Sequence, residues 1–173
     1  SRERKRAARA GAKDPTNMPP TLAYFLTWTT HGTWLPGDDR GWVHHGDGAA
    51  GRPYGSPDPQ RERRARLRLE GEPVALDARQ RRIVEDAIRD TCRTRGWPVW
   101  ALNVRTNHVH VLLTAPQQSP ERVMTSLKAW ATRRLNEAGP SPTPGKLWTR
   151  HGSTRYIKSQ ATLGRAMEYV QNQ

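Results

Sequence analysis

The sequence predicts an α+β domain of the ferredoxin-like (RRM-like) class, in which helices cover one face of an antiparallel sheet. Two observations support this class. The elements indicated by the sequence follow the order β, α, β, β, α, β, α. The two middle strands are separated only by Thr106 and Asn107, a spacing that is typical of a tight hairpin. With 173 residues, the chain is long enough for one domain with a sizeable core.

The first strand is predicted at residues 21–30, where TLAYFLTWTT is rich in β-branched and aromatic side chains. Residues 1–17 before it are basic and poor in apolar side chains, so we expect a flexible N-terminal arm and a single folded domain at 18–173. Turn-forming Gly, Pro and Asp residues are dense at 31–75 and predict a long loop insertion. A short helix is expected within it, at 59–71.

The remaining elements follow from periodicity and from start and stop signals. Apolar residues at helical spacing, an Asp before them and a Gly after them predict a helix at 77–96. Strands are predicted at 98–106 and 108–116. Ser, Pro and Glu then start a second long helix, at 119–139. The last two elements are a strand at 153–159 and a helix at 161–173.

The charge of the chain indicates a polyanionic partner. Lys and Arg total 29 against 16 Asp and Glu, a formal charge of +13. The seven Trp residues favour single-stranded nucleic acid, because flat aromatic rings stack on unpaired bases, although most Trp side chains in proteins pack in cores and loops. The lone Cys92 excludes an internal disulfide framework and a Cys-rich zinc module. No apolar run approaches the roughly 20 residues that span a bilayer, so we expect a soluble, cytoplasmic protein with no membrane partner.

Two histidines, His108 and His110, lie one residue apart in a predicted strand. Side chains alternate between the faces of a strand, so both imidazoles emerge on one face. Val109, Val111 and Leu113 occupy the other face and are expected to pack under the two long helices. A pair of neutral imidazoles on one face forms ready metal ligands. The alternative is that the pair is a chance feature of an ordinary strand.

The last helix carries Tyr169 and Gln173, which are four residues apart and therefore share a helix face. A tyrosine hydroxyl attacks phosphorus when a metal polarises the phosphate, and a Gln carbonyl supplies a further oxygen ligand. The alternative for Tyr169 is a packing residue whose hydroxyl lies in water.

Four stretches of the chain together resemble one family of enzymes. They are NVRTN before His108-Val109-His110, then KLWTRHGSTRYIKS, then EYVQNQ, and near the start LTWTTHGTWLPGDDRGWV. In combination they are similar to the single-tyrosine HUH transposases, specifically the REP-associated tyrosine transposases and their insertion-sequence relatives. The likeness spans residues 18–173.

The resemblance implies a catalytic domain of the HUH endonuclease type with a C-terminal helix that carries the tyrosine. Such an enzyme binds imperfect hairpins in single-stranded DNA, cleaves beside them and holds the 5′ phosphate as a phosphotyrosine. By this resemblance, His108 and His110 are metal ligands, Tyr169 is the nucleophile with Tyr156 as its nearest rival, and Gln173 is a third ligand. The implied cofactor is Mg²⁺ or Mn²⁺, whereas imidazole ligands by themselves favour zinc or another transition metal.

Basic residues near the histidine face are expected to position the DNA backbone, although each one singly also suits a solvated surface. The candidates are Arg105, Lys128, Arg133, Arg134, Arg150, Arg155 and Lys158. Trp34 begins a Trp-, Pro- and Gly-containing segment that either grips unpaired bases or folds over the sheet edge.

Two other function classes stay open at this point. One is a non-catalytic RRM-like module that binds single-stranded nucleic acid, although such a module carries aromatic side chains where this strand carries histidines. The other is a metal-dependent nuclease that uses activated water, for which Tyr169 would be dispensable. For the transposase, we expect a location at the prokaryotic nucleoid, and either a monomer or a homodimer.

Overall fold

The computed structural model describes residues 20–40, 55–139 and 145–173. The predicted N-terminal arm and part of the predicted insertion, residues 41–54, lie outside the described residues. In chain order the elements are β1 (Ala23–Thr29), α1 (Pro59–Leu67), α2 (Ala78–Thr94), β2 (Val99–Val104), β3 (His108–Leu113), α3 (Pro120–Glu137), β4 (Ser153–Ile157) and α4 (Gln160–Gln171).

The four strands form one antiparallel sheet in the order β2-β3-β1-β4. The two sequential strands β2 and β3 form the predicted hairpin, and β3 pairs on its other side with β1. This register sets Thr27 opposite His110 and Thr29 opposite His108. The order and pairing confirm the ferredoxin-like prediction.

Helices α2 and α3 pack together on one face of the sheet and bury its main core. Both helices begin as the sequence predicts, because the side chains of Asp77 and Ser119 accept hydrogen bonds from the backbone of the first turn. The sheet side of this core includes Leu26, Trp28, Val109, Val111 and Leu113, and the helix side includes Val84, Ile88, Val123 and Leu127. Val109 and Val111 therefore face the helices, as predicted.

The opposite face of the sheet is covered by α4. Leu163 and Val170 of α4 pack with Phe25, Ala101 and Leu112 in a second, smaller cluster. Because α4 crosses this face, β3 is apolar on both sides at its Leu112 end, while its other end carries the two histidines. The last helix is thus placed beside the imidazoles by its own apolar stripe.

The residue before the predicted insertion is bonded to the turn between β2 and β3, and the two ends of the insertion are bonded to each other. The amide of Thr30 donates to the carbonyl of Asn107 over 2.8 Å, and the amide of Val74 donates to the carbonyl of His31 over 2.9 Å. The expected short helix is present as α1, and it has no buried residue. Within the described parts of the chain, no helix is both long and apolar enough to cross a bilayer.

Candidate active site

His108 and His110 lie side by side at the N-terminal end of β3, on the sheet face that α4 crosses. Their ring centroids are 4.8 Å apart. The alternation of the strand produces this arrangement, since Val109 between them is buried under the other helix layer.

His110 is almost fully buried, and one of its ring nitrogens is already engaged. Its Nδ1 lies 2.8 Å from the hydroxyl oxygen of Thr27, the residue directly opposite on β1. Burial, followed by the neighbouring charges of His108 and Arg105, lowers the pKa of His110 to about 4. The ring is therefore neutral at pH 7, and its Nε2 is the nitrogen left for a ligand.

His108 has a corresponding partner in Asn107, whose side-chain oxygen lies 2.8 Å from Nδ1 of the ring. Because a carboxamide oxygen only accepts, Nδ1 carries the proton and Nε2 keeps its lone pair. Burial lowers the pKa of His108, and the charges of Arg105 and Arg40 lower it further. Both histidines are thus in the protonation state that metal binding requires.

Tyr169 is the tyrosine that the fold brings to this pair. Its ring centroid lies 5.6 Å from that of His110 and 6.0 Å from that of Phe25. The residue is 49% exposed, so a substrate has access to it. The rival Tyr156 packs edge-on against Tyr24, whose neighbours in the core belong to the α2 and α3 layer.

The C-terminal end of α4 is fastened to β2 next to the histidines. Asn103, which is opposite His110 in the sheet, donates through Nδ2 to the main-chain oxygens of Val170 and Gln173, over 3.0 and 3.1 Å. Arg105 also donates to the Gln173 oxygen, over 2.6 Å. These contacts hold Tyr169 beside the imidazoles. Gln173 lies beyond the last helical residue, and a ligand role for its side-chain amide stays a prediction.

The two imidazoles are the donor groups that the structure brings together at this site. The described residues contain no group of three or more His, Cys, Asp and Glu side chains that would hold a metal by itself. The two imidazoles, with Nδ1 engaged and Nε2 available, have the arrangement usual for metal-binding histidines. A cation at this position stays a prediction.

The prediction that Lys128, Arg133 and Arg134 lie near the histidine face is wrong. All three belong to α3, which packs on the opposite face of the sheet because its apolar stripe matches the Val109 side of β3. Lys128 donates to the carbonyls of Thr149 and His151, and burial lowers its pKa to about 8. Arg133 pairs with Glu137, and Arg134 pairs with Asp90 of α2. DNA binding by these three residues stays a prediction.

The other predicted DNA-binding residues have different surroundings. Arg105 lies at the turn before His108, and Arg155 is opposite Phe25 and so shares the histidine face. Arg150 is exposed before β4, and Lys158 is half-buried after it. Trp34 is partly buried with the guanidinium of Arg40 over its ring at 5.7 Å. DNA binding by these residues stays a prediction.

Three residues of the site are absent from the sequence-based candidates, namely Thr27, Asn103 and Asn107. Each acts on another group of the site, by engaging an imidazole or by fixing the end of α4. The sequence signal that could have found them is that each is a polar residue inside or beside a predicted strand. Their partners depend on strand register, which the alternation pattern does not provide.

Comparison with known proteins agrees with the fold. A search of curated proteins finds no match. A candidate transposase from Deinococcus radiodurans R1, solved by crystallography, is 21% identical with a TM-score of 0.45, over 93% of this chain and 97% of that one. A REP-associated tyrosine transposase bound to a REP hairpin has a TM-score of 0.52 at 12% identity, over 88% of this chain and 66% of that one, and shares the fold.

Residues 72–173, more than half of the chain, match the family model of IS200-like transposases. The chain therefore belongs to the IS200-like transposase family.

Proposed function

We propose that this transposase binds hairpins in single-stranded DNA, cleaves the strand beside them through Tyr169 and rejoins strands. The observation that carries the proposal is the position of the half-exposed Tyr169 ring, 5.6 Å from the ring of His110. A solved structure with this fold, a REP-associated tyrosine transposase, is bound to a REP hairpin, and this supports the choice of substrate.

In the proposed reaction, the Tyr169 hydroxyl oxygen attacks the scissile phosphorus in line with the bond that breaks. The phenol loses its proton, an O–P bond forms, and the P–O3′ bond breaks to release a 3′ hydroxyl. The 5′ phosphate stays on the tyrosine as a diester, so the energy of the phosphodiester is conserved. A 3′ hydroxyl that later attacks this phosphotyrosine joins two strands without ATP.

His108 and His110, with Gln173 as a third ligand, would hold Mg²⁺ or Mn²⁺. When bound, such a cation withdraws charge from the scissile phosphate. Thr27 and Asn107 keep the imidazoles oriented with Nε2 available, and such supporting contacts matter for metal affinity. Burial keeps both rings free of competing protons at neutral pH.

The proposal also covers the oligomeric state, since one chain brings its own Tyr169 to its own histidines. We propose cleavage within a single chain, whether the enzyme is a monomer or a homodimer. A mixture of Tyr169→Phe and His108→Ala chains tests this point. Each variant alone and the mixture should be inactive, whereas recovered cleavage in the mixture would mean that chains exchange their tyrosines.

The main experiment incubates the protein with labelled single-stranded DNA that contains a hairpin, in the presence of Mn²⁺. We expect a protein–DNA adduct that survives denaturation and that EDTA prevents. Tyr169→Phe should abolish the adduct, whereas Tyr156→Phe is the matched control and should keep it. Cleavage without an adduct would instead support a nuclease that uses activated water. Binding without cleavage would support a silent RRM-like module.

A second variant separates catalysis from binding. His108→Ala should abolish cleavage and leave hairpin affinity within about twofold, because the ring is assigned to the metal and not to the DNA. Loss of both activities, together with a lower melting temperature, would make the histidine a structural residue.

A further inference from the structure

Helix α1 is an arginine-rich element that the proposed reaction does not use. Residues 59–67 have no buried member, and the match to the family model begins only at residue 72. Five exposed arginines lie on the helix or at its C-cap, namely Arg61, Arg63, Arg64, Arg66 and Arg68. Like charges three or four residues apart on a helix destabilise it, and α1 has no apolar burial to offset this cost.

Three of these arginines share one face. Arg61, Arg64 and Arg68 follow the i, i+3, i+7 spacing and line a groove of about 520 Å³ together with Gln60 and Pro36. Arg66 points elsewhere and pairs with Glu62 over 2.5 Å. Within the described residues, no ion pair involves Arg64 or Arg68. Asp58 also lines the groove, so its three arginines exceed its acidic residues by two, and Arg64 and Arg68 carry the positive charge that has no ion-pair partner among the described residues.

The groove is held in place by the loop after β1. The carbonyl of Gly37 accepts a hydrogen bond from the amide of Asp58, the N-cap residue of α1, over 2.9 Å. Gly37 has a φ of +97°, and a Cβ at this position would lie 2.3 Å from the Asp58 oxygen. Only glycine permits this approach, so the sequence provides a specific docking point for a helix that has no apolar anchor.

The same loop connects the groove to the candidate active site. Asp38 binds Arg40 through both of its carboxylate oxygens, at 2.7 and 2.6 Å, and Arg40 also donates to the carbonyl of Thr33. The Thr33 hydroxyl donates over 3.4 Å to the carbonyl of Asn107, the residue whose side chain orients His108. Asp38 balances the charge of Arg40, so what the loop provides is a chain of contacts from the docking point of α1 to the residue beside His108.

We propose that the groove formed by Arg61, Arg64 and Arg68 binds the phosphate backbone of the unpaired DNA strand that flanks the scissile phosphate. The proposal rests on the proposed function for the route of the strand. An unpaired strand is the occupant because the loop that holds α1 also contacts Asn107 of the candidate active site, where the DNA must itself be single-stranded. Phosphates along the groove would also remove the repulsion between the arginines.

The test compares two triple variants that remove the same charge. R61Q/R64Q/R68Q changes the groove, and R82Q/R89Q/R93Q changes three exposed arginines of α2, in the other helix layer. The affinity of each protein for a labelled single-stranded oligonucleotide is measured from 50 to 200 mM salt. We expect the groove variant to lose about 2 from the slope of log affinity against log salt, since each phosphate contact to a single strand contributes roughly 0.7. The α2 variant should lose less than half as much.

Every outcome decides the proposal. Equal losses in the two variants would show an effect of net charge alone, and an unchanged slope in the groove variant would show that no strand binds there. If the slope of the groove variant falls more on a duplex than on a single strand of the same length, the groove belongs to the hairpin stem. That result would overturn the choice of an unpaired strand. Unfolding is checked by circular dichroism. The binding assay needs no cleavage, so a wild-type protein that forms no adduct would refute the proposed function without deciding this surface.

Discussion

Thr27 and His110 lie directly opposite each other on β1 and β3, and the Thr27 hydroxyl oxygen is 2.8 Å from Nδ1 of the imidazole. The contact crosses between two neighbouring strands, so the sheet itself fixes the orientation of the ring. It also leaves Nε2 as the nitrogen available to a metal.

Thr27→Val should weaken metal use without harming the fold, because valine keeps the shape of the side chain and removes only the hydroxyl. Loss of such a supporting contact typically costs 10–100-fold in metal affinity. The Mn²⁺ concentration that gives half-maximal adduct formation should therefore rise by about that factor. Thr125→Val, at an exposed position of α3, is the control. An unchanged Mn²⁺ dependence in the Thr27 variant would remove this role from the hydroxyl.

Asn103→Leu should slow the tyrosine reaction while sparing DNA binding. The substitution removes two hydrogen bonds that fasten the end of α4, each worth about 1 kcal/mol. Tyr169 would then spend less time beside His110, so the rate of adduct formation should fall about tenfold. The matched control is Asn136→Leu, on the exposed side of α3. Equal rates in the two variants would show that α4 holds its position without Asn103.

The elements of the fold follow closely from the sequence, since each long helix has a strong cap and each strand a clear pattern. The alternation of His108 and His110 was also sufficient to place them on one face. It was not sufficient to reveal Thr27, because facing residues depend on the register between β1 and β3, which are about 80 residues apart in sequence. The misplacement of Lys128 has a different cause, since the apolar side of β3 already predicts that both long helices cover the face opposite the histidines, and Lys128 belongs to one of these helices.

Acid should destabilise the metal-free protein partly through His110. The pKa of this ring is about 4 when folded and about 6.5 in an unfolded chain. Well above pH 6.5 the ring is neutral in both the folded and the unfolded chain, so the free energy of unfolding no longer depends on its protonation. Between pH 6.5 and 4 the unfolded chain binds the proton first, so the free energy of unfolding falls as pH falls, by roughly 2 kcal/mol at pH 5.

Urea denaturation in EDTA at pH 7.5 and 5 measures this loss. His110→Gln should reduce the difference between the two pH values by roughly 2 kcal/mol. Asp38, whose pKa Arg40 lowers to about 2, contributes only at more acidic pH, outside this interval. An equal pH dependence in wild type and His110→Gln would contradict the assignment.

Gly37→Ala should release α1 from the loop, and with it the arginine groove. The positive φ at Gly37 costs a non-glycine residue about 1–3 kcal/mol, and the added Cβ also meets the backbone of Asp58 and Glu62. Trypsin should then cleave after the arginines of α1 about tenfold faster, and affinity for single-stranded DNA should fall to that of the groove variant. Gly164→Ala is the control, because its Cβ meets nothing within 4 Å and alanine favours the helix by about 1 kcal/mol. Gly164→Ala should raise the melting temperature and leave both the rate of trypsin cleavage and the affinity for single-stranded DNA unchanged. If Gly37→Ala behaves as Gly164→Ala does, the glycine does not hold the helix, and the groove must owe its position to other contacts.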